Sequence, residues 1–349
     1  MKRLFFMFTM VLLSCTLLFA QPVNERPATE EHVVETAEAA FPVTITDMAG
    51  RSVTIETKPE RIVSGYYISS SALIAMDADD RLVGIETKSN ARPIYKAAAP
   101  EIMDLADVGS AKAFALETCL ATNPDLVILP IKQKANADVI QDMGIPTIVV
   151  NPESHEEILY MFEILGKATG NEEKAGRLIS YYRSHLEDIE AQTKTVENRP
   201  VVYMGGTSSY LTTAPKDMYQ ASLIESAGGR NAGDTIEGSS WKEISYEQLI
   251  AMNPDFIVIP TNNFATGNPG YTRDDILSDG NLSEITAVKE GRVYQMPIGL
   301  EACDSPVPSG ILGVLWMTAT IHPELFSMDD FKTTATAFYE EFYGFTPSF

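Results

Sequence analysis

Residues able to hold a small molecule fall into short clusters rich in hydroxyls and aromatic rings. Ser64-Gly65-Tyr66-Tyr67, followed by Ser69-Ser70-Ser71, sets two phenol rings beside a run of hydroxyls. Such a set suits a planar or chelated ligand, and a helix beginning there would suit an anion. The competing arrangement is a hydroxyl-capped helix with both tyrosines packed inside the fold. Lys132, Gln133 and Lys134 either meet negative charge or form a solvated loop. Tyr210 follows the small and hydroxylic run Gly205-Gly206-Thr207-Ser208-Ser209, Trp241 either stacks on a ligand or covers an edge, and Asn262-Asn263 add amides. Glu301 and Asp304 lie in Gly299-Leu300-Glu301-Ala302-Cys303-Asp304-Ser305-Pro306, which is either a ligand wall or a polar turn before the helix expected from Ser309 to Thr320. Arg92 and Arg273 are candidates to clamp an anionic group in bidentate fashion.

These clusters point to binding and not to turnover. The chain has no Gly-x-Ser-x-Gly elbow, no dinucleotide fingerprint, no phosphate loop and no histidine placed beside a nucleophile. A bare metal site is not expected either. The four histidines, His32, His155, His185 and His322, are dispersed, and His155-Glu156-Glu157 lacks the second histidine that a zinc-protease helix requires. No resident cofactor is implied.

The elements that must position these clusters alternate strand and helix. Pro59–Ser64, Leu82–Ile85, Leu126–Leu129 and Thr147–Val150 read as strands in the first half, and Pro200–Tyr203, Phe256–Ile259 and Arg292–Tyr294 in the second. That is the pattern of mainly parallel sheets. Ligands of open parallel sheets sit outside the carboxyl ends of strands. The positions after Val63, Leu129, Tyr203 and Ile259 are therefore where the candidate residues belong. Ala115–Pro130 (ALETCLATNPDLVILP) aligns without gaps to Ser245–Pro260 (SYEQLIAMNPDFIVIP), each copy pairing a helix that ends before Asn-Pro with a buried strand. A repeat at this separation fits a duplicated lobe. Between the halves, Ala175, Leu178, Ile179, Tyr182, Leu186 and Ile189 keep helical spacing, and Glu172 and Glu173 favour a helix start. The spacing predicts a helix over Glu172–Val196, about 37 Å long, rigid enough to restrict hinge motion.

The 349 residues carry 26 Lys and Arg against 48 Asp and Glu, for a net charge of −22. An acid excess of that size, with no basic run, excludes a nucleic-acid partner. Cys15, Cys119 and Cys303 are too few for a disulfide framework. Lys2 and Arg3 ahead of an uncharged apolar stretch make an export signal. It spans residues 1–14 if Leu12-Leu13-Ser14-Cys15 is a lipidation box, or 1–20 if cleavage follows Ala20; Cys15 is the lipidation candidate. The following segment to residue 41 is acidic, contains proline and reads as a disordered tether. Residues 42–170 are read as an N-terminal lobe, 171–197 as the linking helix and 198–349 as a C-terminal lobe.

Four stretches together resemble the ABC-transporter substrate-binding proteins of the ferric-siderophore, haem and cobalamin class. They are Val43–Asp47 with Gly50-Arg51 and Pro59–Val63; Asp79–Gly84; the two Asn-Pro-Asp copies; and Trp241–Ser245 with Ala287–Tyr294. The resemblance implies an α/β fold: two Rossmann-like lobes with mainly parallel sheets, joined by one long rigid helix, with a ligand cleft between them. It implies a solute-binding component that captures a metal chelate outside the cytoplasmic membrane and delivers it to a permease and its ATPase subunits. It also implies that Tyr66, Tyr67, Ser69, Lys132, Gln133, Tyr210, Trp241, Asn262, Glu301 and Asp304 line the cleft. Molybdate- or tungstate-type oxyanion binding by the same fold is the alternative, and an exported α/β enzyme a remoter one. On the second lobe Leu223–Asn231 is similar to the family's docking helix, which makes Glu225 the expected permease contact. On the first, Ser71 stands where many relatives have glutamate. The implied location is the periplasm or the outer face of the membrane, with contact to the membrane only through a lipid on Cys15.

Overall fold

The computed structural model describes residues 41–260, 270–297 and 299–348. The export signal, Cys15, most of the tether, and Asn262 and Asn263 lie outside the described residues.

The first lobe opens with a hairpin, β1 (Val43–Thr46) and β2 (Ser52–Ile55), followed by strands β3 (Ile62–Ser64), β4 (Leu82–Ile85), β5 (Ala106–Asp107), β6 (Leu126–Pro130) and β7 (Thr147–Val150). These five form a parallel sheet in the order β5-β4-β3-β6-β7. Helices α1 (Tyr67–Ala75), α2 (Pro93–Ala98), α3 (Leu116–Ala121), α4 (Lys134–Asp142) and α5 (His155–Thr169) connect and cover them. β3 and β6 are buried throughout, as continuous Ile, Val and Leu runs in a doubly covered parallel sheet must be. Strand order reverses at β3 and β6, so the chain leaving β3 enters the crevice where such folds hold ligands. Gly65 is the exit residue. A Cβ there would come within 2.7 Å of the buried Leu129 side chain, so glycine lets the chain leave the sheet without displacing it.

Helix α6 (Glu172–Thr193) leaves the first lobe and leads to the second. It ends three residues before the expected Val196, with Ala175, Leu178, Tyr182, Leu186 and Ile189 on its buried side. Arg81 and Asn171 tie its start to the first lobe: Arg81 donates to Pro59 O, Thr169 O and Asn171 Oδ1, and Asn171 Nδ2 donates to Met76 O. Thr193 and Glu190 tie its end to the second, through Ser226 O and the Ser226 hydroxyl.

The second lobe contains β8 (Val201–Met204), β9 (Thr212–Thr213), β10 (Arg230–Asn231), β11 (Lys242–Glu243), β12 (Phe256–Ile259) and β13 (Val293–Gln295). Four of them form a parallel sheet ordered β10-β8-β12-β13, and β9 pairs with β11 as a small hairpin. Its helices are α7 (Tyr219–Ser226), α8 (Tyr246–Met252), α9 (Arg273–Ser278), α10 (Thr286–Lys289), α11 (Gly310–Ile321) and α12 (Met328–Tyr343). α12 turns back to brace the linking helix: Tyr181 donates to Thr334 O, and its ring meets Phe338 and Phe342.

The repeated segment builds the same device in each lobe. α3 and α8 end just ahead of Asn123 and Asn253, both in the left-handed region, with φ of 48° and 40°. Asparagine tolerates that conformation better than most residues. The aspartate two positions on then reaches the neighbouring central strand. Asp125 accepts from the Glu60 and Arg61 amides at 2.9 Å, and Asp255 from the Val201 amide at 2.8 Å.

Candidate functional site

The carboxyl ends of the two sheets face each other across a narrow gap. Tyr67, which starts α1 directly after β3, donates its hydroxyl to Ser305 Oγ at 3.2 Å in the segment after β13. Around that bond, Tyr67, Ser71, Arg92 and Ile94 of the first lobe close on Leu300, Glu301 and Ala302 of the second. Tyr66 and Tyr67 meet edge to face, with ring centroids 5.3 Å apart.

Under the tyrosines lies a buried carboxylate. Glu86, immediately after β4, accepts from Ser70 Oγ at 2.6 Å, Tyr95 OH at 2.9 Å and Arg92 Nε at 3.1 Å. The Arg92 guanidinium is thereby laid over the Tyr67 ring, 4.4 Å from its centre, in cation–π geometry. Burial pushes the Glu86 carboxyl up, and Arg92, Ser70 and Tyr95 pull it back. Three donors converge on it, one of them the Arg92 guanidinium, so Glu86 and Arg92 form a buried ion pair steadied by two hydroxyls.

On the opposite wall Glu301 is also buried. Its Oε2 accepts from Tyr343 OH at 3.2 Å, whereas Oε1 has no hydrogen bond of normal geometry. Burial raises this carboxyl, and the nearby Ser309, Ser71 and Tyr343 hydroxyls partly offset the rise. Asp304 is buried, and its backbone carbonyl accepts from Gln220 Nε2 at 2.7 Å. Burial raises the Tyr67 phenol; Ser305 and Arg92 lower it, and Asp304 and Glu153 add to the rise. Glu153, just after β7, is raised by burial and by Glu157, and lowered by Lys132. Carboxylates from both lobes therefore act on the Tyr67 phenol.

The structure brings Tyr66, Tyr67, Glu301 and Asp304 together and leaves Lys132 exposed nearby. Other expected residues find their partners within one lobe. Ser69 is buried, with its hydroxyl bonded to Ser64 and Tyr66 O. Gln133 donates to Ala111 O and accepts from Asn136. Tyr210 donates to Asp279 at 2.8 Å, in a cluster with Tyr246. Trp241 is half-buried against the main core. Lys134 pairs with Asp138, and Arg273 donates to Val293 O and Gly291 O, covering the open edge of β13 instead of facing the gap. Ser71 is buried and offers nothing to a partner, whereas Glu225 is exposed in the last turn of α7. His155 bonds Tyr182 at 2.8 Å, and burial lowers its pKa to about 4.

One rule would have found the missed carboxylates. Glu86 directly follows the recognised strand Leu82–Ile85 and Glu153 lies three positions beyond the end of Thr147–Val150, so the carboxyl-end rule applied to every strand selects both.

Residues 62–298 match the sequence profile of the periplasmic binding proteins. YvrC, an ABC transporter substrate-binding lipoprotein of Bacillus subtilis, is 29% identical over 294 residues, 82% of this chain and 87% of that protein. The molybdate-binding protein MolA of Haemophilus influenzae is 24% identical over 333 residues, 86% of this chain and 90% of its own. A periplasmic solute binding protein from Veillonella parvula superposes with a TM-score of 0.75 at 27% identity, covering 88% of this chain and 94% of that one.

Proposed function

The chain belongs to the periplasmic binding protein family, and on that premise we propose that it captures a metal chelate of the iron-siderophore, haem or cobalamin type and delivers it to an ABC importer. The observation that carries this reading is the facing of two sheet ends over one gap, bridged by Tyr67 and Ser305. Ligand capture follows from lobes that part and close there, with the linking helix tied at both ends to limit the motion. The aromatic faces of Tyr66 and Tyr67 suit an extended ligand. The protein acts stoichiometrically, without turnover, and its location is extracytoplasmic, with Cys15 as lipid anchor or a free end after Ala20.

For docking, the repeat supports a matched pair. Glu117 and Glu247 occupy the same place in the two copies, exposed in the first turns of α3 and α8. A permease spanning both lobes would meet one member of the pair on each. Glu225 has no counterpart in the repeat.

A second reading, oxyanion capture, is favoured by the likeness to MolA and by the Arg92 guanidinium at the gap. Native mass spectrometry of the protein purified from its own source separates the two. A retained chelate supports the reading; a retained oxyanion, or thermal stabilisation by molybdate and by no chelate, replaces it.

A further inference from the structure

We propose that Glu86 is a specificity-determining residue that keeps the cleft from holding small bare oxyanions, by committing the charge of Arg92 before any ligand arrives. This inference rests on the chelate reading above.

Arg92 is the guanidinium at the gap between the lobes. Its Nε is taken by Glu86 at 3.1 Å and its face lies on Tyr67, while neither η nitrogen donates to a described residue. Left alone, a half-buried guanidinium with free η hydrogens would be a strong oxyanion site. Glu86 changes that balance. It is 4% exposed, so its charge is poorly screened by water and acts at short range on anything that Arg92 would hold. Ser70 and Tyr95 fix the carboxylate in place, so it cannot swing away when an anion approaches. The other walls add little compensating charge: Asp304 and Glu153 act on Tyr67, the exposed Lys132 interacts with Glu153, Lys134 is paired with Asp138, and Arg273 caps a strand edge. Residues 261–269, which follow β12 in the sequence, contain no charged side chain. A compact dianion therefore meets a pre-neutralised arginine among carboxylates. An extended chelate can use the η hydrogens for one peripheral group and draw the rest of its affinity from the aromatic faces. Discrimination comes from the repulsive element as much as from the attractive one.

The test uses the full mature chain as wild type, Glu86→Gln and Glu86→Gln/Arg92→Gln, each checked for folding by thermal melting, with equilibrium dialysis against molybdate. Glu86→Met removes the same charge at similar volume and carries the test if the glutamine variant does not fold. Either single variant should bind molybdate at least about tenfold more tightly than wild type, and the gain should vanish in the double variant. Equal molybdate affinity in wild type and a folded single variant overturns the inference, as does a gain that survives loss of Arg92. Dialysis of the wild type against cobalamin and a ferric hydroxamate decides the chelate reading separately. Retention of either with no gain at Glu86→Gln leaves that reading standing and removes the role of Glu86.

Discussion

Tyr67 and Ser305 are separated by 238 positions in the chain, yet their hydroxyls meet at 3.2 Å and join the two walls of the cleft. The bond is neutral and half-buried, so its net value is about 1 kcal/mol. Tyr67→Phe keeps the ring under Arg92 and removes only this link. Urea denaturation should show Tyr67→Phe and Ser305→Ala each losing roughly 0.5–1.5 kcal/mol, with the double variant losing no more than the larger single loss. Strict additivity would mean that the two groups do not interact.

Glu301 makes stability depend on pH. Burial raises its carboxyl above the ordinary value of 4.5, so the folded chain keeps a proton that the unfolded chain releases. Stability linked to this group is present in full below the unfolded value and falls as pH rises through the folded one. Glu301→Gln cannot ionise and can still accept from Tyr343. Its melting temperature, relative to wild type, should climb between pH 4.5 and 7. A difference that stays flat across that range would mean that Glu301 ionises as readily folded as unfolded.

The repeated aspartates supply a prediction from the fold itself. Asp125 holds two backbone amides and Asp255 holds one. Replacement by alanine should cost more at Asp125, with each lost charge-assisted bond worth about 1–2 kcal/mol. Chemical denaturation of the two variants gives the ranking, and a larger loss at Asp255 would contradict it.

Backbone organisation was legible because it depends on neighbours in sequence. The linking helix follows from six apolar residues at helical spacing, and Asn-Pro-Asp announces a helix end and a splice to the next strand in both halves. Side-chain commitment was not. Tyr210, in a loop of small hydroxylic residues, reads as a ligand contact, but Asp279, 69 positions away, takes its hydroxyl. Gln133 is spent on Ala111 and Asn136, and Arg273 on the carbonyls of an edge strand. Apart from Asn136, three positions from Gln133, each partner arrives through tertiary packing that no local pattern encodes. Glu86 sits where the carboxyl-end rule points, but its partners were hidden for the same reason: only the fold brings Ser70 and Tyr95 to it. Ser71 illustrates the converse, since its position in a family pattern suggests a surface role that complete burial forbids.

Docking can be tested apart from ligand capture. Glu117, Glu225 and Glu247 are all exposed, so reversing any one of their charges should leave folding intact, at a cost of up to about 1–2 kcal/mol for Glu117 and Glu247 in the first turns of their helices. A permease that rests on both lobes needs both members of a matched pair, and charge reversal sets repulsion where attraction stood. Glu117→Arg and Glu247→Arg should each reduce transport in reconstituted vesicles by at least about tenfold while leaving affinity for the isolated ligand unchanged. Glu225→Arg distinguishes the two docking arrangements: a matching loss adds the end of α7 to the footprint, and full transport confines the footprint to α3 and α8. If Glu117→Arg and Glu247→Arg both transport at the wild-type rate, the permease does not use the pair that the repeat provides.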